Sequence, residues 1–117
     1  MIRVIVERKL KKTEDIGALL LRLRAAAMSH KGHISSEALV GAEDRSLITV
    51  ISNWKYLEDW KAWETSKERT EIDRLVQPLL AKRAKITTLE LISSEEQEYL
   101  ENPTAWMQKR EHPDFQG

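Results

Sequence analysis

Two tryptophans stand out as residues that could form the wall of a small-molecule site. Trp60 and Trp63 lie three residues apart in a segment whose apolar residues recur at helical spacing, so both fall on one face of a helix. Large aromatic side chains bury much surface and stack against flat apolar molecules. The same pattern is typical of plain core packing, so the spacing leaves both interpretations open.

Four polar residues are candidates for substrate binding or proton transfer. Arg8 lies in a strand-like run, where a guanidinium at a pocket mouth would hold an anionic oxygen; the alternative is a solvated edge charge. His33 could be a general base near neutral pH or make a surface hydrogen bond. Asn53 could bind a substrate carbonyl or cap the next helix. We assign catalytic roles to Arg8, His33 and Asn53, and substrate contact to Arg24 and the two tryptophans.

A metal site is not favoured by the residues present. His30 and His33 stand three residues apart, but a zinc site needs three or four protein ligands and no carboxylate stands out as the third. The chain has no cysteine, which excludes a thiol nucleophile, a disulfide and a thiolate metal site. No Ser/His/Asp array, phosphate loop or paired-carboxylate motif is recognisable. The sequence therefore predicts neither a metal nor a cofactor.

The composition is that of one globular domain. A chain of 117 residues fits a single domain, and 41% hydrophobic with 32% charged residues is close to the globular average. Nineteen basic residues balance nineteen acidic ones, without a basic run, which argues against nucleic acid as a partner. The first ten residues are too charged for a membrane span or a signal peptide, so we expect a cytoplasmic protein.

The apolar pattern predicts the element order β-α-β-β-α-α-β. Strands are predicted over residues 2–10, 33–40, 46–54 and 85–92, the middle two forming a hairpin. The first helix is predicted to follow a Thr13 cap and to stop at Gly32, and a capping box over residues 65–68 opens the last helix. This order is typical of an α+β ferredoxin-like fold, a four-stranded antiparallel sheet with helices on one face.

The strands are apolar on both faces, which predicts a second layer over the sheet. Residues 47–51 do not alternate between apolar and polar side chains, although helices can cover only one face. A bare apolar face of this kind exceeds what a monomer usually exposes. We expect a homodimer packed sheet against sheet, and the C-terminal tail folding back is the alternative cover.

Three further features are shared with a known family. Residues 52–55 (SNWK) leave the third strand, Trp54 and Trp63 stand nine residues apart, and residues 75–80 (LVQPLL) precede the last strand. With these and its element order the chain resembles the antibiotic biosynthesis monooxygenase family, ferredoxin-like domains that form dimeric α+β barrels. The resemblance covers residues 1–92, which we take as one domain.

The resemblance implies more than one activity. Some members of the family oxygenate polycyclic phenols without a cofactor, some degrade haem, and others isomerise or degrade small oxygenated metabolites. We expect a cofactor-independent monooxygenase-like enzyme acting on a small aromatic or oxygenated metabolite, since enclosing an electron-rich anion suffices for that reaction. The alternatives are an isomerase or metabolite-degrading enzyme, or a non-catalytic dimeric ligand-binding module.

Haem degradation is disfavoured by two positions. The resemblance implies a haem-binding histidine on the helix after Trp63, and here that place falls at or near Asp73. It also implies an asparagine on the first strand, where this chain has Glu7 or Arg8. An aspartate is not among the usual axial ligands of haem iron.

Residues 93–117 lie beyond the resemblance. This segment is polar, yet it holds four large apolar side chains of a kind that rarely stay exposed together: Tyr99, Leu100, Trp106 and Met107. We predict that it forms a C-terminal helical extension that docks on the domain.

Overall fold

The computed structural model describes residues 1–12, 16–93 and 96 of the chain. Its strands and helices follow the predicted order, with a short 3₁₀ turn over Gln77–Leu79 after the last helix. The elements are β1 (Ile2–Lys9), α1 (Gly17–Met28), β2 (His33–Val40), β3 (Leu47–Trp54), α2 (Leu57–Glu64), α3 (Lys67–Val76) and β4 (Lys85–Glu90). The α+β ferredoxin-like fold is therefore confirmed.

The sheet has four antiparallel strands in the order β2-β3-β1-β4. The predicted hairpin is present, because β2 pairs directly with β3. Its turn is tied to β1 by Asp44, whose carboxylate bonds to Lys9 and accepts hydrogen bonds from Ser46 Oγ at 2.6 Å and Ser46 N at 3.1 Å. The Lys9 contact and then the Ser46 bonds lower the pKa of Asp44 to about 2.

The two faces of the sheet differ in what covers them. Ile2, Val4 and Val6 alternate along β1 as buried residues, and they lie on the side covered by the helices. The opposite side, called here the open face, has no helix over it in the described structure. It carries five aliphatic residues contributed by all four strands: Ile5, Leu39, Leu47, Ile51 and Leu89.

Helix α3 is capped one residue later than the sequence pattern predicted. Ser66 occupies the N-cap, and its Oγ accepts a hydrogen bond from the backbone N–H of Arg69 at 3.2 Å. Thr65 is not available for this role because its Oγ1 donates to the carbonyl of Lys61 at 2.9 Å, closing the end of α2. The expected capping box over residues 65–68 is thus wrong, although a serine cap does start the helix.

Helical spacing predicts an apolar face for the last helix and the residues after it, and the structure buries this face only in part: Ile72, Leu75, Val76, Leu79 and Leu80. Ile72 and Val76 are buried, as is Leu80 just beyond the helix, whereas Leu75 is exposed. The helix ends at Val76, and Pro78 lies in the 3₁₀ turn, so the proline marks the helix end and does not kink it. Leu80 then forms a bridge with Leu10 after β1.

Helix α1 packs the predicted apolar residues onto the sheet but begins later than expected. It starts at Gly17 with Ile16 in the N-cap position, and Thr13 with the two acidic residues after it lies outside the described residues. Ile16, Leu23 and Ala27 are buried in the core. The chain then turns back into β2 through Gly32, which has a φ of 85°.

No helix in residues 1–12 and 16–93 is long and apolar enough to cross a membrane. Tyr99, Leu100, Trp106 and Met107 lie outside the described residues, so docking of the C-terminal extension stays a prediction.

Candidate functional site

A cavity of about 310 Å³ lies between the helix-covered side of the sheet and the three helices. This volume is at the lower end of the range typical of small-molecule sites. The walls are mainly apolar and come from every layer of the fold: Val6, Val50, Leu20, Leu23, Ala27, Trp54, Trp60 and Trp63. The cavity therefore suits a small, largely apolar molecule.

A cluster of aromatic rings forms one wall. Trp54 and Trp60 meet edge to face with centroids 5.9 Å apart, and His33 lies edge-on to Trp54 at 5.2 Å. The indole N–H of Trp54 donates to Ser52 Oγ at 3.0 Å. The indole N–H of Trp60 is buried without a partner, so it is a free hydrogen-bond donor in a residue that lines the cavity.

Two buried arginines bring positive charge to the cavity. Arg8 on β1 is 4% exposed and Arg69 on α3 is 8% exposed, and both line it. The guanidinium of Arg69 lies 5.5 Å from the ring centroid of Trp60, a cation–π distance that orients it. Burial, followed by the charge of Arg69, lowers the pKa of Arg8 to about 10, with Asp73 acting in the opposite direction.

His33 reaches the cavity because of an irregularity in β2. It pairs with Trp54, whereas Ser35 pairs with Asn53, so an extra residue, Ile34, is accommodated between them. Successive strand residues point to opposite faces, and without this bulge His33 would share the open face with Ser35. The bulge instead places the imidazole on the side of Trp54, where its Nε2 is buried without a hydrogen-bond partner.

The structure brings together every predicted site residue except Asn53. Arg8, Arg24 and His33 line the cavity with the two tryptophans of α2. Asn53 is not among the cavity-lining residues. Its Oδ1 accepts from Arg3 Nε at 3.1 Å and its Nδ2 donates to Ser35 Oγ at 3.0 Å, and its register with Arg3 puts it on the open face.

Four polar residues that line the cavity were not predicted as site residues: Ser36, Glu37, Ser52 and Arg69. Ser36 lines it with a buried, unpartnered Oγ, and no pattern in the sequence marks it. Arg69 did carry a signal. It stands three residues before Ile72 and seven before Val76, which places it on the buried face of α3 despite its charge.

Metal or haem ligation finds no support in the described residues. Within residues 1–12, 16–93 and 96, no group of three or more histidine or acidic side chains could hold a metal ion. Asp73, at the place where the resemblance implies a haem-binding histidine, accepts a hydrogen bond from Gln77 Nε2 at 3.2 Å. A carboxylate at this place does not fit haem iron.

The titration of His33 tests this description of the site. Burial, and secondly the charge of Arg24, lower the pKa of His33 below its ordinary value of about 6.5. We expect NMR titration to give a pKa below 6.5, and Arg24→Gln to raise it without fully restoring it, since burial remains. Arg22→Gln, an exposed change on the same helix, should leave it unchanged. A pKa at or above 6.5 in the unmodified protein would contradict the description.

The same shift predicts how stability depends on pH. The folded state favours neutral His33, so the unfolded chain binds the proton more tightly. The contribution of His33 to stability is therefore complete above about pH 6.5 and is lost as the pH falls from there through the lowered pKa.

The fold and the cavity define a ferredoxin-like α+β domain with a ligand-sized site between sheet and helices. The chain matches the antibiotic biosynthesis monooxygenase family over residues 1–74 and belongs to that family. No curated protein matches it in sequence.

Solved structures show the same fold at low sequence identity. A conserved protein from Methanosarcina mazei is 22% identical, with a TM-score of 0.72 over 78% of this chain and 92% of its own. Rv0793 from Mycobacterium tuberculosis is 15% identical, with a TM-score of 0.71 over 80% and 96%. SnoaB, a cofactor-independent oxygenase from Streptomyces nogalater, is 7% identical, with a TM-score of 0.71 over 80% and 94%.

Proposed function

We propose that this protein is a cofactor-independent monooxygenase-like enzyme that acts on a small aromatic or oxygenated metabolite in the cavity. The observation that carries the proposal is the combination of tryptophan walls with buried polar atoms that have no hydrogen-bond partner among the described residues. These atoms belong to four cavity-lining residues: Arg8 Nε, His33 Nε2, Ser36 Oγ and Trp60 Nε1. Buried polar groups are normally hydrogen-bonded, so unpaired ones around a cavity favour a ligand that pairs with them.

The chemistry follows from the residues at hand. His33 is neutral at pH 7 because its pKa is lowered, so it can accept the proton of a phenol. Arg8 is charged at that pH and stabilises the resulting phenolate. The phenolate passes electrons directly to O₂. One oxygen atom becomes the new carbonyl of a quinone, and the other leaves as water with the two hydrogens lost from the phenol, so the reaction needs no further reductant.

Oxygen dependence tests the proposal. We expect a panel of mono- and polycyclic phenols to include one that the protein converts under air but not under nitrogen, with one atom of ¹⁸O₂ in the product by mass spectrometry. His33→Ala should slow this reaction by about 100-fold or more, because it removes the general base. Arg74→Gln, an exposed change away from the cavity, is the matched control. Failure of the whole panel to react under air would contradict the proposal.

The same experiment separates the two alternatives. Conversion that proceeds equally under nitrogen would indicate an isomerase or a metabolite-degrading enzyme that uses the cavity without O₂. Binding without turnover would indicate a non-catalytic ligand-binding module. This last alternative is favoured by one observation, that no carboxylate among the described residues pairs with His33 to orient it as a base.

We further propose that the protein is a homodimer joined through the open face. Leu89 is 48% exposed and Leu39 is 47% exposed there, while Ile5 and Ile51 are half-buried between them. Each 100 Å² of apolar area covered contributes roughly 2.5 kcal/mol, against about 4–15 kcal/mol for association. The open face also carries charges of both signs: Arg3, Glu7, Lys9, Glu37 and Lys85. A second copy of the same sheet is the simplest cover, since it offers the same aliphatic residues and charges that can pair with these.

A further inference from the structure

Arg8 and Arg69 approach the same cavity from opposite layers of the fold. Arg8 comes from the central strand β1 and Arg69 from helix α3, and each is more than nine-tenths buried. The two guanidinium groups interact, since the charge of Arg69 lowers the pKa of Arg8. Two like charges thus line one mainly apolar cavity.

Neither arginine is paired with a carboxylate in the part of the chain that the structure describes. Arg8 Nε also has no hydrogen-bond partner there. Asp73 acts on Arg8 only at longer range. Of the other charged or titratable lining residues, Arg24 adds positive charge, His33 is neutral near pH 7, and Glu37 is exposed.

Burying one unpaired charge raises the free energy of the folded protein, and burying two raises it further. Proteins normally pair such charges or neutralise them. With a pKa of about 10, Arg8 stays protonated at neutral pH. An anion bound inside the cavity would pair with these charges, so the cavity favours an anionic ligand.

We propose that Arg8 and Arg69 form a carboxylate-binding subsite, and that the ligand of this cavity is a small aromatic acid. The planar fork of a guanidinium matches a carboxylate in a two-point hydrogen bond, which a point charge does not. Stacking on Trp60 holds Arg69 in place, and the tryptophan wall receives the ring of the acid. The inference rests on the proposed function in taking the cavity as the substrate site, and it assigns Arg8 to the carboxylate of the substrate in place of the phenolate.

Calorimetric titration of the full chain under nitrogen tests the subsite. The probes are benzoate and 2-naphthoate, each compared with its neutral carboxamide of nearly the same shape. We expect at least one acid to bind the unmodified protein tenfold or more tighter than its amide, the difference typical of hydrogen bonds to charged groups. Equal affinities, or no binding by either acid, would overturn the proposal without recourse to any variant.

Variants then assign the effect to the two arginines. Arg8→Gln and Arg69→Gln should each weaken binding of the acid about tenfold or more and leave amide binding unchanged, which also shows that the cavity is intact. The acid affinities of Arg8→Lys and Arg69→Lys should lie between those of the unmodified protein and the glutamine variants, since lysine keeps the charge but cannot make the two-point hydrogen bond. Arg74→Gln, on the same helix as Arg69 but exposed, should bind like the unmodified protein. An acid affinity unaffected by both glutamine variants would refute the assignment.

The outcome is separable from that of the oxygenation test. These titrations exclude O₂ and count no product, so selective binding of the acid without oxygenation would retain the subsite and reject the oxygenase. Oxygenation of a neutral phenol, with no preference for acids in the titrations, would retain the oxygenase and reject the carboxylate subsite.

Discussion

Replacing Ile51 by lysine is expected to convert the protein from a dimer into a monomer. Ile51 lies at the centre of the open face, paired with Ile5 on β1 and with Glu37 on β2. A lysine there would bring a longer, charged side chain from each copy between the two sheets. Even paired with Glu37 it would have to be desolvated there, and the Coulomb attraction of a buried pair often does not offset that cost. Light scattering coupled to size exclusion at micromolar concentration measures the change.

Two further variants make this result specific. Leu89→Lys should also split the dimer and is gentler on the fold, because Leu89 is largely exposed in the single chain. Leu75→Lys adds the same charge at an exposed position of α3, outside the sheet, and should remain dimeric. Circular dichroism checks that each variant is folded. A monomeric unmodified protein, or dimers of both sheet variants, would reject the open face as the interface.

Gly32→Ala is expected to destabilise the protein by about 2–5 kcal/mol, which sums the usual costs of strained backbone and overpacking. The φ of 85° is unfavourable for alanine, and a Cβ at this position would lie 2.1 Å from Asp59 Oδ2 and 2.5 Å from Asp59 Cβ. Asp59 is buried on α2 beside Trp60 and so cannot simply swing away. The substitution therefore strains the turn into β2 and displaces the helix that carries the tryptophan wall. Urea unfolding measures the loss.

A second variant separates the two causes. In Gly32→Ala combined with Asp59→Gly, all three clashing atoms of Asp59 are removed while the backbone strain remains, so the double variant should be more stable than the sum of its single changes. An unfolding midpoint of Gly32→Ala equal to that of the unmodified protein would show that neither cause operates.

Much of the fold could be predicted because it depends on local patterns. The strand over 33–40 and the hairpin after it follow from alternating residues and a turn, and the helix residues facing the core follow from helical spacing. The exact residues at which helices begin were predicted less well. Thr65 and Ser66 are both good caps by type, and only the bond from Thr65 to the end of α2 decides between them.

The site was predicted less completely, for a related reason. Trp60 and Trp63 were predicted from their shared helix face and Arg8 from its charge within a strand, and all three line the cavity. Arg69 was missed because a charged residue in a first helical turn looks solvated, although its spacing from Ile72 places it on the buried face. Asn53 was predicted as a site residue because it lies next to Trp54 at the end of a strand. Adjacent strand residues point to opposite faces, so Asn53 lies on the open face and not in the cavity.

The sequence by itself determined the α+β class, the order of the elements and the types of side chain available for a site. Only the tertiary structure decided which of these side chains meet. The bulge at Ile34 turns His33 toward Trp54, and the packing of α3 over β1 brings Arg69 toward Arg8 across 61 positions of the chain, from 8 to 69. Secondary structure follows from contacts a few residues apart, whereas a cavity is formed by residues far apart in sequence, whose meeting depends on strand register and on how the helices pack.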